Sequence, residues 1–212
     1  PVQWWRSVGS THTAFATEWF LDEIARETKQ DPVELRRALL AKHPRHRGVL
    51  ELAAQRAGWG TPLGAGRARG IAVHESFHTF VAQVAEISRQ KDGSLRIERV
   101  VCAVDCGVAV NPNIIEMQME SGIGYGLSAA LNGTITLKEG VVEQSNFHDY
   151  PVLRMNQMPR IEVYIAASAE KPTGVGEPAT PVIAPALANA ILAMQGKPMR
   201  ALPLSTQGVA FA

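Results

Sequence analysis

The sequence predicts an α+β fold in which a helical N-terminal segment precedes a mixed set of strands and helices. Three observations carry this prediction. Residues 1–58 place apolar side chains at helical spacing, residues 70–105 are rich in valine and isoleucine, and a mostly apolar helical pattern follows residue 181. We therefore divide the chain into a helical segment at 1–58, a linker at 59–70 and an α+β portion at 71–212.

Three helices are expected in the N-terminal segment. Residues 14–29 alternate apolar and charged positions with the period of an amphipathic helix. The sequence Asp31-Pro32-Val33-Glu34 supplies a capping acid, a proline at the first helical position and a glutamate at the third, so a second helix begins there and runs to about residue 41. Residues 49–57 predict a third helix that ends at Gly58.

The next portion predicts an antiparallel strand pair followed by a helix. The strands are expected at 70–88 and 95–105, because Lys91-Asp92-Gly93-Ser94 between them is a strong hairpin signal. A helix is expected at 114–131, where Gly122 and Gly126 lie on one face and allow close packing. Shorter segments predict further strands at 134–137, 141–144 and 161–167.

The strongest functional signal lies in the loop at 171–181. Gly174 and Gly176 permit backbone conformations closed to other residues and let the backbone approach a ligand, and a carboxylate, Glu177, follows them directly. A helix expected at 181–194 then orients its N-terminal amides toward anions. The loop is thus interpreted as presenting an acid to a ligand, the alternative being an ordinary loop with an exposed glutamate.

A second motif indicates a different chemistry. His74-Glu75-Ser76-Phe77-His78 matches the pattern in which two imidazoles one helical turn apart bind zinc and a glutamate activates water. On a strand the two imidazoles would lie about 13 Å apart, too far to share an ion. Since the segment follows a strand-like sequence, chance or structural histidines are favoured, and a zinc-dependent hydrolase is kept as the alternative enzyme.

Composition limits the remaining possibilities. The formal net charge of +1 gives no general case for a nucleic-acid partner. No apolar run approaches the roughly 20 residues that a membrane-spanning helix needs. Four strand steps separate Cys102 from Cys106 by about 13 Å, which is too far for a disulfide, and further metal ligands at suitable spacing are not evident. Both are therefore expected to be small buried residues. We expect no metal ligands among the side chains.

Five motifs occur in an order typical of one family. They are Trp5-Arg6-Ser7-Val8-Gly9, Asp31-Pro-Val-Glu-Leu-Arg36, Val104-Asp-Cys-Gly107 leading to Asn111-Pro112, Gln118-Met-Glu-Ser-Gly-Ile-Gly-Tyr-Gly126, and Gly174-Val-Gly-Glu-Pro178. Together they resemble the C-terminal part of the molybdopterin-binding large subunit of the xanthine dehydrogenase and aldehyde oxidoreductase family. The resemblance is strongest to the branch formed by isoquinoline 1-oxidoreductase beta subunits, where Trp-Arg-Ser-Val-Gly is typical.

The resemblance implies roles for individual residues. Glu177 matches the glutamate that acts in this family as general base toward a hydroxide on molybdenum. Gln118 matches a glutamine whose amide hydrogen-bonds the cofactor, and Arg6 matches an arginine beside the metal. Gly174-Val175-Gly176 would place backbone amides around the metal's ligands. The cofactor itself supplies the redox chemistry.

The resemblance also implies cofactors and partners. It predicts molybdenum on a molybdopterin, in the cytosine dinucleotide form, and the oxidation of an aldehyde or N-heteroaromatic substrate with oxygen from water. The sequence lacks a cysteine set for iron–sulfur clusters, so electron transfer is expected to proceed through a small partner subunit with two [2Fe–2S] clusters. Between bacterial periplasm and cytoplasm, the resemblance favours the periplasm.

Some expected features are missing from these residues. The glycine-rich segments and the glutamine near the metal's apical oxygen are absent, as are most contacts for the pterin dinucleotide. We expect them in a remaining part of the large subunit upstream of Pro1, and we expect this segment to be inactive by itself. A non-catalytic assembly or binding module with the same fold is the third interpretation.

Overall fold

A computed structural model describes residues 3–212 of the chain. The described residues have the α+β class that the sequence predicts. The principal elements are α1 (Ser10–Glu27), α2 (Pro32–Leu39), α3 (Pro44–Arg56), β1 (Arg67–Ser76), β2 (Thr79–Arg89), β3 (Leu95–Asp105), α4 (Pro112–Asn132), β4 (Leu137–Lys138), β5 (Val141–Val142), β6 (Arg160–Ile165) and α5 (Thr180–Gln195).

The predicted start of α2 is confirmed in detail. The Asp31 carboxylate accepts hydrogen bonds from the backbone N–H groups of Val33 and Glu34, at 2.8 and 3.1 Å. These bonds satisfy donors that have no partner within the first helical turn. The third helix, α3, begins earlier than the expected residue 49, because Pro44 occupies its first turn with a backbone dihedral suited to a helix.

Four strands form one sheet in the order β1-β2-β3-β6. The strands β1, β2 and β3 are antiparallel neighbours, which confirms the hairpin at 91–94, and β6 runs parallel to β3. The prediction of one strand over 70–88 is wrong. Phe77 and His78 reverse the chain there with φ of 55° and 62°, the left-handed conformation of a two-residue hairpin turn.

Strand β1 also begins before the expected end of the linker at residue 70, since it starts at Arg67. The two-stranded ribbon of β4 and β5 is shorter than the strands expected at 134–137 and 141–144. Its side chains Leu137, Val141 and Val142 are exposed. Without a layer packed on it, this ribbon forms few ladder bonds.

Helices cover both faces of the sheet. Buried side chains of α4 and α5 form one core with β1, β2 and β3. Side chains of α2 and α3 form a second core on the opposite face of the same strands. Burial on both faces explains why the middle of each of β1, β2 and β3 is a mostly apolar run instead of an alternating one. The helices before the predicted linker therefore share a core with the strands after it.

Glycine permits two close helix contacts. A Cβ atom added at Gly70 would lie 2.1 Å from the Ala190 nitrogen, so the backbone of α5 rests directly on β1. A Cβ added at Gly126 would lie 2.6 Å from Ile183 Cγ2, and one at Gly122 would lie 2.8 Å from Ala179 Cβ. The predicted close packing at 122 and 126 is confirmed. It fixes α4 against the start of α5.

The cysteines are free and buried, as the sequence predicts. Burial raises the pKa of Cys102 to about 12, so its thiol is protonated and unreactive at neutral pH. None of the helices in the described part of the chain combines the length and the apolar character that crossing a bilayer requires.

Candidate functional site

Three segments that are distant in sequence meet in front of α5. They are the turn that precedes α1, the second turn of α4, and the loop at 171–179. The structure brings together Arg6, Gln118, Gly176 and Glu177 at this point, through direct hydrogen bonds across up to 170 positions. These are four of the site residues that the sequence predicts.

The Arg6 guanidinium links the loop to α4. Its Nε donates to the Gly176 carbonyl at 2.7 Å, its Nη1 donates to Ser121 Oγ at 3.1 Å, and its Nη2 donates to Gln118 Oε1 at 3.2 Å. The guanidinium carbon also lies 5.6 Å from the centroid of the Tyr125 ring. A planar fork with several fixed donors can make all of these contacts at once, whereas a lysine ammonium could not.

The Glu177 carboxylate is held at one oxygen. Oε1 accepts a hydrogen bond of 2.9 Å from the Ser7 backbone N–H. The main-chain carbonyl of Glu177 accepts bonds from the Ser7 hydroxyl at 2.5 Å and from the Thr180 N–H at 3.0 Å. Within residues 3–212, Oε2 takes part in no hydrogen bond of this kind, and the residue is half-buried. Oε1 is thus held by a hydrogen bond, and Oε2 is not.

The Gly174-Val175-Gly176 segment is open on one side. A Cβ added at Gly174 would meet no atom within 4 Å, and one at Gly176 would meet only Gln118 Oε1, at 4.0 Å. Neither glycine has a positive φ, so the prediction that they supply a special backbone conformation is wrong. The structure shows open space beside both glycines. Val175 packs on the core, and Thr79 Oγ1 donates to the Gly174 carbonyl at 2.8 Å, which anchors the loop.

The N-terminal amides of α5 do not form the expected anion site. The Thr180 N–H bonds the Glu177 carbonyl, and Pro181 has no N–H to offer. Val182 is fully buried. The donors at the site come instead from Arg6 and from the side-chain amide of Gln118.

Two site residues were missed by sequence reasoning. Ser121 lies one turn after Gln118, at a spacing that places both on one face of α4, and this signal could have revealed it. Ser7 contacts Glu177 with a φ of 73°, and no sequence pattern indicates that conformation.

The geometry contradicts the zinc-hydrolase alternative. His74 lies in β1 and His78 in the following turn, so the helix that the zinc pattern requires is not formed, and the two do not share a strand face either. His78 is exposed, with Nδ1 3.7 Å from Glu75 Oε1. Among residues 3–212, histidine, cysteine, aspartate and glutamate form no group of three that could hold a metal ion.

An apolar cavity of about 720 Å³ adjoins the site. Ser121 and Trp5, the neighbour of Arg6, lie on its wall, and the Trp5 and Tyr125 rings are 4.8 Å apart between centroids. The other apolar lining comes from Met117, Ala129, Tyr150, Val152, Leu153, Met155 and Met158. A cavity of this size beside a few polar groups is typical of small-molecule sites.

Residues 23–159 match the family model of the molybdopterin cofactor-binding domain. The chain belongs to this family. It is 38% identical, over 96% of its length, to the beta subunit of isoquinoline 1-oxidoreductase from Brevundimonas diminuta, of which it covers 26%. It is 31% identical, over 98% of its length, to a nicotinate dehydrogenase subunit from Pseudomonas putida, of which it covers 19%.

A third relative is the membrane-bound aldehyde dehydrogenase of Gluconacetobacter polyoxogenes, 30% identical over 95% of this chain and 29% of that protein. The chain therefore spans about a quarter of the length of these curated relatives. The aldehyde oxidoreductase of Desulfovibrio desulfuricans has the same fold, with a TM-score of 0.72 at 14% identity over 95% of this chain and 40% of that one.

The cluster fits the cofactor that the family binds. A molybdopterin carries anionic groups with oxygen and sulfur atoms, and Arg6 supplies a positive charge beside the open loop. Because Arg6 occupies Gln118 Oε1, the two N–H donors of that amide remain for a ligand. The space beside Gly174 and Gly176 leaves room for it.

Proposed function

We propose that this chain forms part of the catalytic subunit of a molybdenum hydroxylase that oxidises an aldehyde or an N-heteroaromatic compound with oxygen from water. The observation that carries the proposal is the meeting of Arg6, Gln118 and Glu177 at an open backbone loop. Two relatives named for isoquinoline and nicotinate and one named for an aldehyde support these substrate classes.

Each residue of the cluster has a distinct task in this proposal. Arg6 and the Gln118 amide bind and orient the cofactor, and the backbone of Gly174-Val175-Gly176 lets it approach. Glu177 accepts a proton at Oε2 while Ser7 holds Oε1. When bound, the cofactor supplies two-electron redox chemistry that the side chains cannot perform.

The proposal extends to the complete enzyme. The cofactor would be the cytosine dinucleotide form, with its remaining contacts contributed by another part of the large subunit. A small subunit with two [2Fe–2S] clusters would carry the electrons away. The names of relatives as subunits of larger enzymes support such an assembly, and the family resemblance favours the periplasm as its compartment.

The decisive experiment is metal and cofactor analysis of the complete protein purified from its native host. We expect molybdenum and a pterin in equal amounts with the polypeptide, and reduction of the cofactor by an aldehyde or an N-heteroaromatic compound. A protein with neither would be a non-catalytic module, and a protein with zinc alone would also refute the proposal.

A further inference from the structure

We propose that Ser7 is a positioning residue that fixes the orientation of the Glu177 carboxylate. The inference rests on the proposed function, in which Glu177 is the proton acceptor whose orientation matters. Neither the family match nor the sequence motif assigns this task to the serine. Three contacts between two consecutive residue pairs, Arg6-Ser7 and Gly176-Glu177, carry the argument.

The contacts form a clamp around Glu177 and the peptide bonds on either side of it. Arg6 Nε donates to the Gly176 carbonyl at 2.7 Å, and the Ser7 hydroxyl donates to the Glu177 carbonyl at 2.5 Å. The Ser7 N–H donates to Glu177 Oε1 at 2.9 Å. Main chain and side chain of Glu177 are thus held from the same side, so the carboxylate cannot rotate without breaking a bond to Ser7.

The backbone of the serine is held in an unusual conformation that makes the clamp possible. Ser7 has φ of 73° and Val8 has φ of 47°, both in the left-handed region that glycine favours. For a β-branched residue such as Val8 this is a rare and unfavourable conformation, which persists only where the surroundings enforce it. It directs the N–H and the hydroxyl of Ser7 to the same partner.

Burial shields the hydrogen bonds of the clamp from water. Ser7 is 1% exposed, so water does not compete for its two donors. One carboxylate oxygen of Glu177 is occupied and the other is left free, which defines a single direction for proton transfer. A proton acceptor that is displaced by about 1 Å can lose on the order of 100-fold in rate.

The test uses the complete enzyme with its cofactor and measures the reductive half-reaction. Ser7→Ala removes the hydroxyl that holds the Glu177 carbonyl, which loosens the backbone on which the N–H bond to Oε1 depends. Ser7→Gly removes the same hydroxyl but adopts the positive φ without steric strain, so it separates loss of the hydroxyl from backbone strain. Ser10→Ala, a matched substitution one turn away, is the control. Both Ser7 variants should reduce the cofactor about 10- to 100-fold more slowly, with unchanged substrate dissociation constant and molybdenum content. The control should behave as wild type.

A double mutant separates positioning from a general structural effect. In a Glu177→Gln background, Ser7→Gly should slow the reaction no further, since residues that act as a unit are not additive. Equal slowing in both backgrounds, a wild-type rate in Ser7→Gly, or loss of cofactor from both Ser7 variants would overturn the inference. If Glu177→Gln itself retained the wild-type rate, the proposed function would fail instead.

Discussion

The orientation of the Glu177 carboxylate is fixed by a hydrogen bond from a neighbouring segment. A free glutamate samples several rotamers, and the bond from the Ser7 N–H to Oε1 restricts this freedom, while the bond from the Ser7 hydroxyl holds the main-chain carbonyl of the same residue. Arg6 contributes indirectly, because it fixes the neighbouring carbonyl of Gly176. The chemistry proposed for Glu177 therefore depends on residues about 170 positions away in the sequence.

Replacement of Glu177 by glutamine tests its role as proton acceptor. Glu177→Gln keeps the size of the side chain and an oxygen to accept the Ser7 bond, but it removes the basic group. In the complete enzyme, we expect cofactor reduction to slow about 100- to 10,000-fold while molybdenum content stays the same. Glu116→Gln, on the exposed face of α4, is the control. A near-wild-type rate in the Glu177 variant would refute the assignment.

At this scale the sequence predicts some site residues and not others. The sequence predicts Arg6, Gln118 and Glu177 because the order of the motifs that contain them resembles that of one family. The structure brings these three residues together. Ser7 was not found, since its φ of 73° is imposed by contacts formed only in the folded chain. Of the two reasons given for Gly174 and Gly176, the special backbone conformation is wrong, whereas the approach of a ligand to the open backbone stays a prediction.

At the scale of elements, the packing of α4 on α5 determines where the site forms. Helix α4 carries Gln118 and Ser121, while α5 begins directly behind Glu177. The glycine spacing on α4 predicted this close approach from sequence. The turn at Phe77 and His78 was not predictable in the same way, because it contains none of the glycine or asparagine residues that normally mark left-handed hairpin turns.

Two alanine substitutions on α4 test how tightly this helix packs, because one new Cβ would meet the backbone of α5 and the other would meet only a flexible side chain. Gly126→Ala would place Cβ 2.6 Å from Ile183 Cγ2 and 2.7 Å from the Thr180 carbonyl oxygen, so α4 and α5 must separate. Gly124→Ala would meet only the end of the flexible Met158 side chain, at 2.9 Å. We expect the free energy of unfolding to fall by about 1–3 kcal/mol in the first variant.

In the second variant the better helix propensity of alanine offsets the adjustment of Met158. Urea unfolding of both variants and the wild type, followed by circular dichroism, provides the comparison. Equal stability of the Gly126 and Gly124 variants would contradict the packing described here.

The burial of His46 on α3 predicts that the stability of the fold depends on pH. His46 on α3 lies 5.4 Å from the Phe80 ring on β2, and burial lowers its pKa from 6.5 to about 4. Between these values the unfolded chain binds more protons at this site than the folded chain does. The stabilisation from neutral His46 is therefore complete above pH 6.5 and is lost as the pH falls toward 4.

The variant His46→Gln cannot titrate, so its melting temperature should fall less than that of the wild type between pH 7 and pH 4. His12→Gln changes an exposed histidine and is the control. Parallel pH profiles for wild type and His46→Gln would show that this residue does not carry the effect.

At the scale of the whole molecule, a buried ionic network connects both sides of the sheet. Arg36 is 1% exposed and bonds Glu18 Oε2 at 2.7 Å and Asp22 Oδ1 at 2.6 Å. Glu18 also accepts from the Val73 N–H of β1 at 2.8 Å. Although Arg36 opposes the change, burial dominates and raises the pKa of Asp22 to about 6. Such a network specifies how α1, α2 and the sheet fit together.

Class and order of elements were predictable from the sequence because local periodicity determines them. The placement of α1 and α2 against the sheet was not, since Asp31-Pro-Val-Glu-Leu-Arg36 was recognised as a motif without its buried partners Glu18 and Asp22. The sequence division at 59–70 likewise describes a change of secondary structure, whereas the second core crosses it.

The two buried cores and the exposed candidate site lead to a prediction for the isolated 212-residue chain. Because both faces of the sheet are covered from within residues 3–212, we expect it to fold cooperatively by itself. Because most of the cofactor contacts are proposed to come from another part of the large subunit, we expect it to retain no molybdenum cofactor and no oxidoreductase activity. Circular dichroism with thermal unfolding tests the first expectation, and metal analysis after expression in a cofactor-producing host tests the second. Recovery of cofactor in equal amounts with this chain would show that it contains the whole site.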